Sequence, residues 1–214
     1  MSNRLPADER RTQLVDAALE LAEDGGVGAV TVRAVAEKAG VSLGVVHYCF
    51  ESKEALVVAM AHTVVDQLLE AMQAAFDVPA DGTHLQGIER LRAMLLSALR
   101  AMWSAVDSTR GLQILTYEIT TYSLRHRAGG PATSGDIAAQ QYRRMDEQAV
   151  AFLDACAERS GVCWTLPTEA VARLALALLD GFVLRWLVDR NADAGEAELD
   201  TIADVIASRA VTRP

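Results

Sequence analysis

Few residues in this 214-residue chain are arranged in a way that could support catalysis. The sharpest arrangement is Gly40-Val41-Ser42-Leu43-Gly44, which matches the Gly-x-Ser-x-Gly pattern of a nucleophilic serine. That pattern requires a strand before the serine and a helix after it. The residues before Ser42 instead place their apolar side chains at helical spacing. We therefore expect no nucleophile at Ser42 and no enzyme.

Histidine and cysteine also lack the spacing of a metal site. His62, His84 and His126 lie far apart, and ordinary surface or partly buried side chains are expected there. Cys156 and Cys163 could form a redox-sensing thiol pair, although two small buried apolar side chains are the commoner arrangement. The sequence predicts no metal and no cofactor.

The composition is that of an acidic and apolar chain. Its net charge is −9, its pI is about 4.9 and 51% of its residues are hydrophobic, which is too apolar for disorder. Three cysteines and an N-terminus without an apolar secretion segment predict a cytoplasmic protein. The most apolar window, 174–188, contains Asp180 and Arg185, each costing roughly 2.5–3.5 kcal/mol at a bilayer centre. We therefore expect a buried helix there and no membrane partner.

Helical spacing of apolar residues extends over nearly the whole chain, and no alternating run is long enough for a sheet. An all-α fold of about nine helices is predicted. The expected helices before the break at 79–83 cover 8–24, 31–39, 42–48 and 52–76. Those after it cover 84–106, 109–127, 134–160, 168–190 and 196–210, with loops at 127–131 and 190–195.

The second and third of these helices form a helix-turn-helix pattern. They are short, and about three residues that include Gly40 separate them, where a left-handed turn is free of a Cβ penalty. Val41 and Val46 are apolar where the two helices must pack. Four positions of the third helix are then free to face outward: Ser42, Leu43, Gly44 and His47.

This stretch resembles the DNA-binding domain of the tetracycline-repressor (TetR) family. The resemblance covers residues 8–60, from Leu14-Val15-Asp16-Ala17-Ala18 to the closing Tyr-x-Phe-x-Ser-Lys-Glu-x-Leu of residues 48–56. It implies a helix-turn-helix DNA-binding domain at residues 1–55. It further implies a helical ligand-binding and dimerisation domain at residues 56–214. Two positions depart from the family, which usually has an aromatic residue at His47 and often histidine at Cys49.

The resemblance also implies roles for individual residues on DNA. The third helix would lie in the major groove, so that its outward residues Ser42, Leu43, Gly44 and His47 face base edges. The remaining contacts would go to the phosphate backbone, from Thr31, Arg33, Tyr48 and Lys53, with additions from Arg10 and Arg11. Residues 1–55 have a net charge of −3, so the positive surface that binds phosphates must be local. Two copies are then needed to double the number of contacts.

The C-terminal body is implied to dimerise and to bind a small molecule. The expected dimer interface is a stripe on helix 168–190, formed by Leu174, Leu178, Gly181, Phe182, Arg185 and Val188. Part of this stripe is expected to be core. The expected ligand contacts are Trp103, Tyr117, Glu118, Thr121 and Tyr122, for which a core role or an internal Glu–Arg pair is an equal alternative.

The predicted function is that of a ligand-responsive transcriptional regulator, most simply a repressor that binds a palindromic operator as a homodimer. A small-molecule effector would shift helix 52–76 and so change the separation of the two recognition helices. The competing prediction, from the acidic N-terminal domain, is a small-molecule-binding helical protein that no longer uses specific DNA binding.

Overall fold

The computed structural model describes residues 6–77, 85–126, 137–189 and 195–213. Within those residues the chain forms nine helices and two short strands, and the all-α prediction is confirmed. The first four helices are α1 (Ala7–Ala29), α2 (Val32–Lys38), α3 (Leu43–Cys49) and α4 (Lys53–Asp77). The later elements are α5 (Gly87–Ser108), α6 (Arg110–His126), α7 (Ile137–Ser160), β1 (Val162–Trp164), α8 (Thr168–Asp189), α9 (Gly195–Ala207) and β2 (Ala210–Thr212). The predicted break at 79–83 and loop at 127–131 lie outside the described residues, as do positions 190–194 of the second loop.

The helix-turn-helix forms as its sequence predicts. Thr31 caps α2, since its hydroxyl oxygen accepts a hydrogen bond from the Ala34 N–H at 3.1 Å. Gly40 makes the turn at φ 65°. Ser42 precedes α3 in extended conformation, and its side chain makes no capping bond. The turn therefore leaves the Ser42 hydroxyl on the surface.

The first helix bends where the sequence places two glycines. Gly26 has φ 70° and ψ 179°, a conformation that only glycine adopts readily, and it interrupts the helical geometry of α1. A further turn, Val27 to Ala29, follows the bend before α2. The predicted end of the first helix at residue 24 is thus wrong, because helical structure continues beyond a sharp bend at Gly26 to Ala29.

Two compact units divide the chain, and the first contains the helix-turn-helix. It comprises Met1–Asp66 and Thr109–Gln141. Its core joins α1 to α6, because Leu112, Leu115 and Ile119 are buried in the same cluster as Leu14 and Ala18. The compact units reflect which residues pack together and not which residues bind DNA. The predicted boundary between the DNA-binding and ligand-binding domains at residue 55 therefore stays a prediction.

The second unit comprises Gln67–Ser108 and Tyr142–Pro214. Helix α9 packs on α5 and α8, and Arg92 of α5 forms ion pairs with Asp200 and Asp204 of α9. Strands β1 and β2 pair antiparallel, with Cys163 opposite Val211. These strands were not predicted, and β2 explains why the last helix ends at Ala207 rather than at 210. No described helix is long and apolar enough to cross a membrane.

Candidate nucleic-acid interface

One face of α3 is exposed along the whole helix. Ser42, Leu43, Gly44, His47 and Tyr48 all lie on the surface, with Leu43 48% and Tyr48 82% exposed. Val46 is 1% exposed and anchors the opposite face in the core of the first unit. This surface combines two exposed large side chains, Tyr48 and Leu43, with the polar side chains of Ser42 and His47. Such a surface is suited to contact with base edges and phosphates. The spacing placed these residues correctly, and their contacts with DNA stay predictions.

Two further predicted contacts lie at the start of α2. Thr31 and Arg33 are both exposed. Thr31 uses its oxygen to accept the capping bond, so the hydroxyl hydrogen is left for a phosphate oxygen. Arg33 lies two residues further along, with a guanidinium suited to bidentate phosphate contact. The phosphate roles of both residues stay predictions.

Lys53 has a partner inside the protein. The residue is half-buried in the first turn of α4, and its ammonium donates to the Val27 carbonyl at 3.1 Å. In this structure the charge of Lys53 therefore supports the connection between α1 and α2. The predicted phosphate contact of Lys53 stays a prediction, and it would have to share the ammonium with Val27.

The other polar group of Val27 is also bound by a charged side chain. Glu118 of α6 accepts a hydrogen bond from the Val27 N–H at 2.8 Å. A Cβ at Gly26 would lie 2.9 Å from the same carboxylate, so glycine permits the close approach. We call this arrangement of Glu118, Val27 and Lys53 the Val27 clamp. It joins α6 and α4 to the bend in α1.

A second contact joins α6 to the first turn of α4. The Tyr122 hydroxyl donates to the Glu54 carboxylate at 3.2 Å. Burial, and then the charge of Glu54, raise the pKa of Tyr122. The pKa of Glu54 is lowered, first by its own backbone N–H and then by Ser52 and Tyr122. Tyr122 therefore stays protonated and Glu54 ionised at neutral pH, as the contact requires.

Comparison with known proteins points to one family. The family model for bacterial regulatory proteins of the tetR family matches residues 14–60, which includes α2, α3 and the start of α4. Residues 14–60 are therefore similar to the DNA-binding region of the TetR family. Its members are DNA-binding transcription factors rather than enzymes, and the structure agrees for Ser42, which follows a helix and a turn and not a strand.

Relatives and solved structures extend the similarity beyond that domain. The chain is 26% identical to the nicotine-responsive transcriptional repressor HdnoR of Paenarthrobacter nicotinovorans, over 96% of this chain and 98% of that protein. It is 40% identical to the transcriptional activator FasR of Mycolicibacterium smegmatis over 42% of this chain and 39% of FasR. The crystal structure of a transcriptional regulator from Rhodococcus sp. Rha1 matches with a TM-score of 0.69 at 22% identity, covering 95% of this chain and 99% of that one. That of the multidrug binding protein EbrR matches with a TM-score of 0.67 at 24% identity, covering 100% and 97%. The two structures show the shared fold.

The predicted effector contacts fall in different surroundings. Trp103 belongs to the second unit, where its ring lies 4.6 Å from Phe182 and 5.1 Å from Trp186 between centroids. The other four lie on α6 in the first unit. Glu118 and Tyr122 make the contacts described above, Tyr117 is half-buried, and the exposed Thr121 donates to the Tyr117 carbonyl. The binding roles of these five residues stay predictions.

Helix α6 also has a polar side that the sequence analysis missed. It consists of Thr109, which immediately precedes α6, and four residues of the helix. These residues recur at spacings of three and four and are buried or half-buried: Thr109, Gln113, Thr116, Thr120 and Ser123. We call them the α6 polar stripe. Ser123 accepts a hydrogen bond from Ala138 N–H, which places the start of α7 beside the stripe. One turn further, Gln141 is 2% exposed and its side-chain oxygen accepts no hydrogen bond from any described residue. The heptad spacing of polar residues was the signal for this side of α6.

The exposed side of α8 coincides only in part with the predicted dimer stripe. Leu174, Leu178 and Phe182 are half-buried, whereas Gly181, Arg185 and Val188 are exposed, with Val188 at 68%. Arg185 pairs with Asp189 on its own helix. The exposed apolar side consists of four residues at heptad spacing, which we call the α8 apolar face: Ala177, Gly181, Leu184 and Val188. Leu184, which is 48% exposed, was missed.

The two cysteines considered for a redox pair lie in unlike surroundings. Cys156 is buried, and burial raises the pKa of its thiol to about 12. Cys163 is exposed on β1, and its sulfur accepts a hydrogen bond from Arg213 at 3.3 Å. Both are free thiols. Cys156 therefore acts as a small apolar side chain, as predicted, whereas the expected burial of Cys163 is wrong, because β1 leaves that side chain exposed.

Proposed function

We propose that this TetR-family regulator is a repressor that binds a palindromic operator as a homodimer and is released by a small-molecule effector. The observation that supports it best is the exposed face of α3, held outward by a buried Val46. A helix presented in this way fits the major groove, where base pairs differ in their hydrogen-bonding edges.

The chemistry of the side chains determines which residues would contact bases and which would contact phosphates. Ser42 and His47 supply the polar contacts to base edges, and Leu43 supplies an apolar contact suited to a thymine methyl group. Gly44 lets the backbone approach the groove. The phosphate contacts come from residues around this face: Thr31, Arg33, Tyr48 and Lys53. With so few polar base contacts, one copy gives modest specificity, so two half-sites are needed.

The α8 apolar face supports a homodimer. Leu184 and Val188 are large apolar side chains left in contact with water, beside Gly181, where an added Cβ would meet nothing within 4 Å in one copy. A second α8 packed there would cover the apolar side chains, and glycine would allow close approach of the two helices. The half-sites would lie roughly 34–36 Å apart in the simplest arrangement.

The effector site that we propose uses the α6 polar stripe and Gln141. The stripe contains amide and hydroxyl groups and no charged side chain, so it suits an uncharged hydrogen-bonding part of a small organic molecule. The unused oxygen of Gln141 would accept a hydrogen bond from that molecule. HdnoR is named as nicotine-responsive, and EbrR as multidrug binding, which favours a small organic effector. Trp103, Tyr117 and Thr121 stay candidate contacts.

Release would act through α6. The helix bears the proposed effector contacts and also Glu118 and Tyr122, which bind Val27 and Glu54. An effector that shifts α6 would strain those two bonds and move the bend in α1 and the first turn of α4. The coupling is typically about 1–3 kcal/mol and must be reciprocal, so operator DNA weakens effector binding by the same factor. Equal effector affinity with and without operator would refute the coupling.

The proposal is tested by selecting bound sequences from a random DNA pool at about 50 mM salt, with the mass of the complex measured alongside. A palindrome bound by two chains, or by a pair of such dimers, is the expected result. A folded dimer that enriches no sequence would instead favour the alternative function, a small-molecule-binding protein that no longer uses specific DNA binding.

A further inference from the structure

Side chains of α1 bind the last carbonyls of both helix-turn-helix helices. The Arg11 guanidinium donates to the Cys49 carbonyl, the last residue of α3, at 2.8 Å. Two residues along, the Gln13 amide donates to the Ala39 carbonyl at the end of α2, at 3.1 Å. Arg10 holds the Gln13 amide by donating to its oxygen at 2.6 Å. Helix ends leave carbonyls without partners in the helix, and here α1 supplies the partners.

Arg11 makes a second contact at the same place. Its guanidinium carbon lies 4.2 Å from the centroid of the Phe50 ring, and Phe50 is 3% exposed and caps α3. The buried ring is fixed in the core, so it fixes the guanidinium that lies over it. A cation at the C-terminus of a helix is also favoured by the helix dipole. Arg11 is thus directed toward the protein, although the sequence predicted a contact with DNA.

Helix α3 depends on such support because it is short. It has seven residues, and at its end Phe50 N–H bonds Val46 while Cys49 is bound by Arg11. Two-turn helices have little stability of their own. His47 and Tyr48, predicted to contact a base edge and a phosphate, lie in this last turn. Any loosening of that turn would displace both side chains.

We propose that Arg11 is a positioning residue for operator recognition, which holds the last turn of α3 and does not contact phosphate. The inference rests on the operator binding proposed above. Removing the guanidinium has different consequences for a residue that contacts phosphate and for one that supports α3. A lost phosphate contact weakens binding to every sequence and lowers the salt dependence. A lost support weakens the contacts that distinguish sequences.

The first test compares Arg11→Ala with wild type on the selected operator and on unrelated DNA. We expect specific affinity to fall about tenfold, with affinity for unrelated DNA and the slope of log K against log salt unchanged. Arg33→Ala, a predicted phosphate contact, should lower the slope by about 0.9 per copy, hence about 1.8 for a dimer. Arg209→Ala removes an exposed arginine of the second unit and controls for net charge. If Arg11→Ala lowers the slope as Arg33→Ala does, Arg11 is a phosphate contact and the inference is wrong.

The second test needs no DNA. Amide hydrogen exchange at Phe50, whose N–H bonds the Val46 carbonyl, should become severalfold faster in Arg11→Ala and stay unchanged in Gln13→Ala. Unchanged exchange at Phe50 in Arg11→Ala would overturn the inference. Should wild-type protein select no operator, the proposed function fails, and this exchange measurement still decides whether Arg11 supports α3.

Discussion

Substitution of Gly26 by alanine tests the Val27 clamp. Gly26 has φ 70° and ψ 179°, and forcing another residue into this conformation costs about 1–3 kcal/mol. The added Cβ would also lie 2.9 Å from the Glu118 carboxylate and push it from the Val27 N–H. Val27 is 6% exposed, so its donor would lose its acceptor at a cost of about 1–3 kcal/mol. The two effects together predict a loss of about 2–6 kcal/mol from the free energy of unfolding.

Gly28 provides the matched control. It lies two residues further along, is exposed, has no positive φ, and an added Cβ would meet nothing within 4 Å. Gly28→Ala should therefore stabilise the protein by about 0.4–1 kcal/mol, through the unfolded chain alone. In a Glu118→Ala background the Val27 bond is already lost. Gly26→Ala should then cost only the backbone strain, which gives a coupling energy of about 1–3 kcal/mol.

The assay is urea unfolding followed by two signals. Far-ultraviolet circular dichroism reports on helices of both units, whereas the three tryptophans, Trp103, Trp164 and Trp186, all belong to the second unit. Gly26→Ala should move the dichroism transition to lower urea by more than it moves the tryptophan transition. The account is refuted if Gly26→Ala is as stable as Gly28→Ala, or if its cost is the same with and without Glu118.

Three further predictions concern separate surfaces. Lys53→Ala should lower the slope of operator affinity against salt by about 0.9 per phosphate contact, and should also lower stability because the Val27 carbonyl loses its partner; an intact slope would contradict the phosphate assignment. In native protein at about pH 8, an aromatic disulfide reagent should modify Cys163 and leave Cys156 unreacted until the chain unfolds, because burial raises the pKa of Cys156 to about 12; native labelling of Cys156, seen by mass spectrometry, would show the burial to be wrong. Val188→Glu should convert the proposed dimer to a monomer in sedimentation experiments, whereas Leu124→Glu, at an exposed leucine of α6, should leave the mass unchanged; a dimeric Val188→Glu protein would exclude the α8 apolar face as the interface.

The helices could be predicted because apolar spacing marks one face of each element. The same argument predicted the outward face of α3. Val41 and Val46 were assigned to the packed side, and the four positions predicted to face outward are exposed. Strands β1 and β2 have three residues each, which is too short for alternation to show. Helices α4 to α9 were found to within a few residues for the same reason as α3.

The contacts of charged side chains with backbone groups could not be predicted. Glu118 binds a backbone N–H 91 positions away, and Lys53 binds a carbonyl 26 positions away. Every residue supplies a backbone carbonyl, and every residue except proline supplies an N–H, so the sequence contains no sign of the partner. The position of Glu118 among apolar neighbours suggested a ligand contact, and only the fold brings it to Gly26. The sequence predicted a different side of α8 as the exposed one. Apolar residues occur on every side of this helix, so their spacing does not show which side faces the solvent.

The claim at the centre of this account is that α3 distinguishes DNA sequences. The most direct test repeats the selection from random DNA with His47→Ala beside wild type. We expect the same palindrome and the same spacing, with preference lost at one symmetric pair of positions, worth about 1–3 kcal/mol each. An identical motif from the two proteins, at every position, would show that His47 does not contact the bases and would contradict its assignment as a base-contacting residue of α3.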